Sequence, residues 1–239
     1  MNRLNIATRG IASWRARLAG PERQWKRRYS AFETAVSWEF ACKSKSGLPA
    51  PIYRLFQQSQ YGEAVLIFAV AEHKVDLPGG IAASQCDVWA VLQTPLGMLS
   101  LAVEAKAGEP FGDAILGRWL EAGESDEAKR NRRERWNYIR SHLPELDFYP
   151  EVRYQILHRC AAAVIEAKRL GYHHAAFVVQ VFDAPATSFQ DYTVFCKALG
   201  IDPAPRGKFA TTSVKDISLS VGWADCDFAT DAEVAATTV

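Results

Sequence analysis

Residues 86–106 read CDVWAVLQTPLGMLSLAVEAK, and the fold turns on how this stretch is parsed. Two apolar runs, at about 86–93 and 98–106, flank Thr94-Pro95-Leu96-Gly97, whose Pro and Gly favour a turn. The pattern predicts two adjacent strands. Asp87 opens the first, and Glu104-Ala105-Lys106 closes the second. Side chains two apart on a strand share a face, so Glu104 and Lys106 project together. With the strands paired, Asp87 comes close to both. Two carboxylates and an amine at a strand end can hold Mg²⁺ and act on phosphate.

Upstream, AVLIFAVAEHKV (64–75) predicts a buried strand and LPGG (77–80) a turn. SAFETAVSWEFACK, from Ser30, places Phe32, Ala35, Val36 and Phe40 at helical spacing, with Ser30 and Glu33 matching a capping box. Gly47-Leu48-Pro49 stops that helix, and APIYRLFQQ predicts a second, shorter one. Downstream, Glu109-Pro110-Phe111-Gly112 breaks the chain before helical stretches at 113–120, 125–142 and 152–170, the last ending at Gly171. AAFVVQVF (175–182) predicts a strand buried on both faces, and a short helix is expected at 188–195. Helix, three strands, helices, strand is the order of an α/β fold with a mixed central sheet flanked by helices. Residues 1–223 are expected to form one domain with a basic, helical extension at 1–28, and 224–239 a disordered tail.

Composition narrows the class. At 239 residues and 49% hydrophobic, the chain can bury the core of one large domain. A net charge of +1, from 28 basic and 27 acidic residues, provides no global field for nucleic acid, so affinity would have to come from local clusters. Two exist. Arg3, Arg9, Arg15, Arg17, Arg23, Arg27 and Arg28 interleave with Trp14 and Trp25, and Lys129, Arg130, Arg132, Arg133 and Arg135 stand beside Trp136 and Tyr138. Such runs contact phosphates or form a solvated face. The five scattered cysteines lack CxxC spacing, which argues against a disulfide framework or zinc site and for a reducing compartment. No run approaches membrane-spanning length, so a cytoplasmic protein without a membrane partner is expected.

Glu-x-Lys occurs four times, at 72–74, 104–106, 127–129 and 166–168. On a helix, residues i and i+2 lie roughly 200° apart, so the last two read as solvated helix surface. Glu72/Lys74 lies on a strand but has no aspartate a strand and a turn before it. Glu104/Lys106 has Asp87, although an edge-strand ion pair beside an unrelated aspartate explains the same spacing.

Asp87 followed by Glu104-Ala105-Lys106, within this element order, resembles the PD-(D/E)xK phosphodiesterase superfamily, which includes restriction and repair nucleases. Cys86 stands where that motif usually has proline. YSAFETAVSWE, AEHKVDLPGGIAASQCDVWAV, LAVEAKAGEPFG and RYQILHRCAAAVIEAKR more closely resemble an uncharacterised bacterial protein family, over roughly residues 22–185. The superfamily resemblance implies a restriction-endonuclease-like core and a Mg²⁺-dependent DNA nuclease, with Mn²⁺ able to substitute and a homodimer possible. Asp87, Glu104 and the carbonyl of Ala105 would hold the metal, and Lys106 would orient or help deprotonate the attacking water. One of Glu39, Glu33 or Glu72 would complete the site, with Glu39 preferred over Glu33. Gln155, Arg159, Ser84 and Gln85 are candidate substrate contacts. A catalytically silent binding or regulatory module of the same fold is the alternative.

Overall fold

The computed structural model describes residues 10–18, 20–123, 125–145, 150–183, 185–202 and 206–238. Its centre is a six-stranded mixed sheet of β1 (Val65–Val75), β2 (Ser84–Thr94), β3 (Gly97–Lys106), β4 (His174–Phe182), β5 (Phe209–Val214) and β6 (Ile217–Cys226), in the order β1-β2-β3-β4-β6-β5. The first three strands form an antiparallel meander; β4 is parallel to β3, β6 is parallel to β4, and β5 closes the edge antiparallel to β6. The hairpin centred on residues 94–97 forms as its composition requires. Gly97 takes φ +113°, a region open to glycine, and the Thr94 hydroxyl donates to its carbonyl at 2.9 Å.

The helices are α1 (Ala12–Arg15), α2 (Pro21–Gln24), α3 (Ser30–Ala41), α4 (Ala50–Gln57), α5 (Leu116–Glu121), α6 (Asp126–Arg140), α7 (Tyr154–Leu170), α8 (Ala186–Ala198) and α9 (Asp231–Thr237). They cover the sheet on both faces. On one side α7 packs Ile156, Leu157 and Cys160 against Ala102, Phe177, Val179 and Val181. Its run Ala161-Ala162-Ala163 is fully buried, and such small side chains let the helix lie close to the strands. Gly171 ends it in the left-handed conformation at φ +71°. On the other side α3 and α4 bury Ala35, Trp38, Ile52 and Leu55 against Val88, Leu101, Val103 and Val178. Removing a buried leucine or isoleucine from such a core costs roughly 2–5 kcal/mol.

Three sequence expectations need correction. Residues 209–226 are a strand pair, which places β6 beside β4 and extends the expected strand order. Their Ser- and Thr-rich pattern, with Ser218 and Ser220 at inward or half-buried positions, disguises the period. Second, 224–239 is not a disordered tail: Ala224–Cys226 end β6, and α9 follows with Thr230 and Glu233 forming a reciprocal capping box. Third, Ser30 makes no capping bond; Tyr29 is the N-cap of α3 and Ser30 its first residue.

Candidate functional site: the splayed end of strands β2 and β3

Up to Val88, the inward side chains of β1 and β2 alternate regularly. Ala69, Ala71, Val88, Ala90 and Leu92 all join the core beneath α3 and α4. Beyond them, Val75 and Cys86 join the opposite core beneath α7, although their parity should keep them on the first side. Between Ala71 and His73 the pleat therefore flips. The residue at the flip is Glu72, at φ +55°, a left-handed conformation unusual for a side chain of this size. Its neighbour across the β1–β2 ladder is Asp87, since Ala71 pairs with Val88 and His73 with Cys86.

Pairing between β2 and β3 stops at Val88 and Val103. Past that point the strands separate, which frees the β2-facing backbone of residues 104–106. Asp87 fills the gap: its Oδ2 accepts the Ala105 amide at 2.7 Å. A strand residue turns its N–H and C=O to the same neighbour, so the Ala105 carbonyl also faces the Asp87 side. Glu104 and Lys106 alternate onto the α7 face. There Glu104 accepts from Lys106 through Oε1 and from Arg159 of α7 through Oε2, the latter at 2.8 Å. The Lys106 ammonium also lies 5.4 Å from the centre of the Phe111 ring.

Burial and mutual repulsion set the charge state. Burial opposes ionisation of Glu104, but Lys106 and Arg159 outweigh it and hold the carboxyl well below its ordinary range. Asp87 has no such pairing. Burial, then the charges of Glu104 and Glu72, push it well above the usual carboxylate value. Glu72 rises to about 7, chiefly through burial, although Gln85 donates to its Oε2 at 2.6 Å. Three carboxyls at adjacent strand ends thus share two cations, and Glu104 takes both.

A cavity of about 770 Å³ opens on this cluster. One wall is Glu72, Gln85, Asp87 and Glu104–Lys106; the others include Glu109, Gln155, Arg159 and, from the N-terminal segment, Arg23, Arg28 and Tyr29. Gln155 brings a side-chain oxygen that is buried without a hydrogen-bond partner among the described residues. Glu109 folds back to accept the Ala107 amide at 2.8 Å.

Other expected participants are employed elsewhere. Glu39 accepts the Trp14 indole N–H at 2.8 Å and does not line the cavity. Glu33, fully buried, spends both oxygens on the backbone amides of Arg28 and Ala229, each at 2.7 Å. Of the three supporting acids only Glu72 reaches the site. Ser84 is not a substrate contact: it is fully buried, its hydroxyl lies 2.8 Å from His158 Nδ1 and donates to the His158 carbonyl at 3.1 Å, and so it pins β2 to α7. Arg159 makes an inward ion pair with a strand rather than one on its helix surface. Glu166, expected to be solvated, is buried against His73 and accepts from Arg169. In the basic helix α6, Arg135 is buried and donates to the carbonyls of Leu77, Pro78 and Gly80, tying down the LPGG turn.

A family model for a domain of unknown function, DUF6946, matches residues 7–228. The chain belongs to this family. No curated protein and no solved structure matches it. The DUF6946 match takes in the N-terminal cavity wall as well as the acidic strand ends, so the whole cavity lies within one family domain.

Among the described residues no group of three or more His, Cys, Asp or Glu side chains is spaced to cage an ion. Mg²⁺ asks for less: it keeps several waters and takes one or two carboxylates. Asp87 and Glu104, with the Ala105 carbonyl facing the same gap, meet that requirement in kind.

Proposed function

We propose that this DUF6946 protein is a metal-dependent phosphodiester hydrolase, a Mg²⁺-dependent nuclease acting on DNA, with Mn²⁺ able to replace Mg²⁺. The observation that carries the reading is the convergence of Asp87, Glu104 and Lys106 where β2 and β3 part, inside one cavity with Arg159. The helix–meander–helix–strand order around them supports kinship with the restriction-endonuclease-like core, to which β5 and β6 are additions.

In this mechanism Asp87, Glu104 and the Ala105 carbonyl would hold the divalent cation, which would supply Lewis-acid neutralisation of the phosphate charge. Arg159 keeps Glu104 ionised and holds its carboxylate on the α7 face beside Lys106. Lys106, buried on the same face, orients the attacking water and donates to a phosphate oxygen, so its charge opposes the negative charge that grows as water adds to phosphorus. One P–O bond of the diester then breaks, the water loses a proton and the leaving oxygen gains one.

A second reading has its own observation. Both Glu104 oxygens are already neutralised by side chains, as suits a module that binds nucleic acid without cutting it. Incubation with plasmid, linear duplex and single-stranded DNA in Mg²⁺ or Mn²⁺ separates the two. The nuclease reading expects cleavage that EDTA, Asp87→Ala and Lys106→Ala each abolish. Cleavage that survives in both variants removes these residues from the mechanism; no cleavage of any substrate favours the silent module.

A further inference from the structure

We infer that the segment from Gly20 to Ala31 is a clamp for single-stranded nucleic acid, so that the site takes a single strand or an unpaired end rather than an intact duplex. The inference names the substrate class of the hydrolase proposed above and rests on that reading for cleavage, though not for binding.

Four observations converge. The cavity has two chemically distinct sides: the carboxylates of β1, β2 and β3, and across from them Arg23, Gln24, Arg28 and Tyr29. Its volume, about 770 Å³, falls in the class of small-ligand sites. One or two nucleotides fit such a space, whereas a base-paired duplex does not enter it whole. The N-terminal side therefore decides what reaches the acids.

Tyr29 is the second observation. It is 49% exposed, among the few large apolar side chains left open to solvent, and it stands on the cavity edge. The Lys26 ammonium lies 5.8 Å from its ring centre. An exposed aromatic flanked by cations is the arrangement on which unpaired bases stack, because every base offers a π-face. Third, the arginines divide by role. Arg15 is paired with Glu22, and Arg27 with Asp231. Arg23, Lys26 and Arg28 form no ion pair among the described residues, and Arg23 and Arg28 are the two that face the cavity.

Fourth, the segment is braced. Arg28 sits at φ +66°, its N–H held by the fully buried Glu33, whose other oxygen holds Ala229. The Arg28 guanidinium stacks 5.0 Å from the Phe228 ring centre. A left-handed arginine anchored by a buried carboxylate is a fixed element, and it holds Tyr29 and Arg28 at the lining of the cavity they share with the acids.

Fluorescence anisotropy tests this without catalysis, using labelled oligothymidylate, oligouridylate and a duplex of equal length, in EDTA and again in Ca²⁺. Expected is tighter binding of one or both single strands than of the duplex, by tenfold or more. The oligothymidylate and oligouridylate arms show whether DNA or RNA is the natural strand. Tyr29→Ala should weaken single-strand binding by roughly 5- to 100-fold, and Arg23→Ala should reduce the salt dependence of binding. Both side chains are exposed and neither forms an ion pair among the described residues, so melting temperatures matching the wild type are expected and would exclude misfolding. Duplex binding equal to or tighter than single-strand binding, no binding of any probe, or unchanged binding in both variants overturns the clamp. Single-strand binding that is lost on Tyr29→Ala without any cleavage sustains the clamp and sinks the hydrolase.

Discussion

Glu33 is a capping acid by its spacing from Ser30 and a candidate site acid by the family resemblance, and both readings depend on where two amides lie, which the local sequence does not contain. In the fold Glu33 accepts from Arg28 and from Ala229, 196 residues away. Glu33→Ala should therefore cost about 1–3 kcal/mol, because two part-buried backbone amides lose their acceptor. Denaturant titration measures the loss, and Mn²⁺ affinity should be unchanged once folded protein is compared. His158 offers a pH test. Burial, then Arg159, push its pKa down to about 3. Between about 3 and the ordinary value of 6.5, the unfolded chain binds a proton that the folded chain refuses. Stability contributed by neutral His158 is therefore intact above pH 6.5 and is lost as pH falls toward 3. His158→Gln should flatten the acid limb of the stability–pH curve, and an unchanged limb would show that other groups set it.

At the scale of elements, the β2–β3 hairpin was legible because turn residues and β-branched runs agree on it, and α7 because its apolar period ends in a glycine. The pleat flip at Glu72 was not legible: a left-handed glutamate has no local signal, and only the ladder on both sides forces it. The basic helix α6 misled for a related reason. Charge reads as surface, yet Arg135 is buried among three carbonyls of the LPGG turn, where Gly79 sits so close to Asn131 that a Cβ would come within 2.0 Å of its carbonyl oxygen. Arg135→Ala should destabilise the protein by roughly 2–4 kcal/mol and loosen residues 77–80, seen as faster amide exchange there. Arg130→Ala, on the same helix at an exposed position, should change stability by less than about 0.5 kcal/mol.

For the whole molecule, the mixed sheet flanked by helices and the succession of elements through β4 followed from reading strands and helices in turn, whereas the closing strands and helix did not. β5, β6 and α9 are built from Ser, Thr, Ala and Gly, whose small side chains carry little hydrophobic period but pack well where neighbours come close. Gly222 is an example, since a Cβ there would lie 2.8 Å from the Phe209 ring. The C-terminal helix ties back to the N-terminal segment through Arg27–Asp231, the Ile11 amide on the Thr237 carbonyl and Lys43 on the Ala236 carbonyl. Deleting residues 230–239 should remove about 2 kcal/mol and lower the melting temperature by roughly 4–8 °C, while leaving the sheet's circular dichroism in place. The acids at β1–β3 and the clamp opposite them are thus held in register by chain ends that pack on each other.

The proposed hydrolase requires the parted ends of β2 and β3 to accept a divalent cation through Asp87 and Glu104. Titrating the protein with Mn²⁺ and following the free ion by electron paramagnetic resonance measures it directly. Saturable binding in the wild type, with Asp87→Asn weakening it at least tenfold in a protein that still melts cooperatively, is the expected result. No saturable binding, or equal binding by Asp87→Asn, would contradict it.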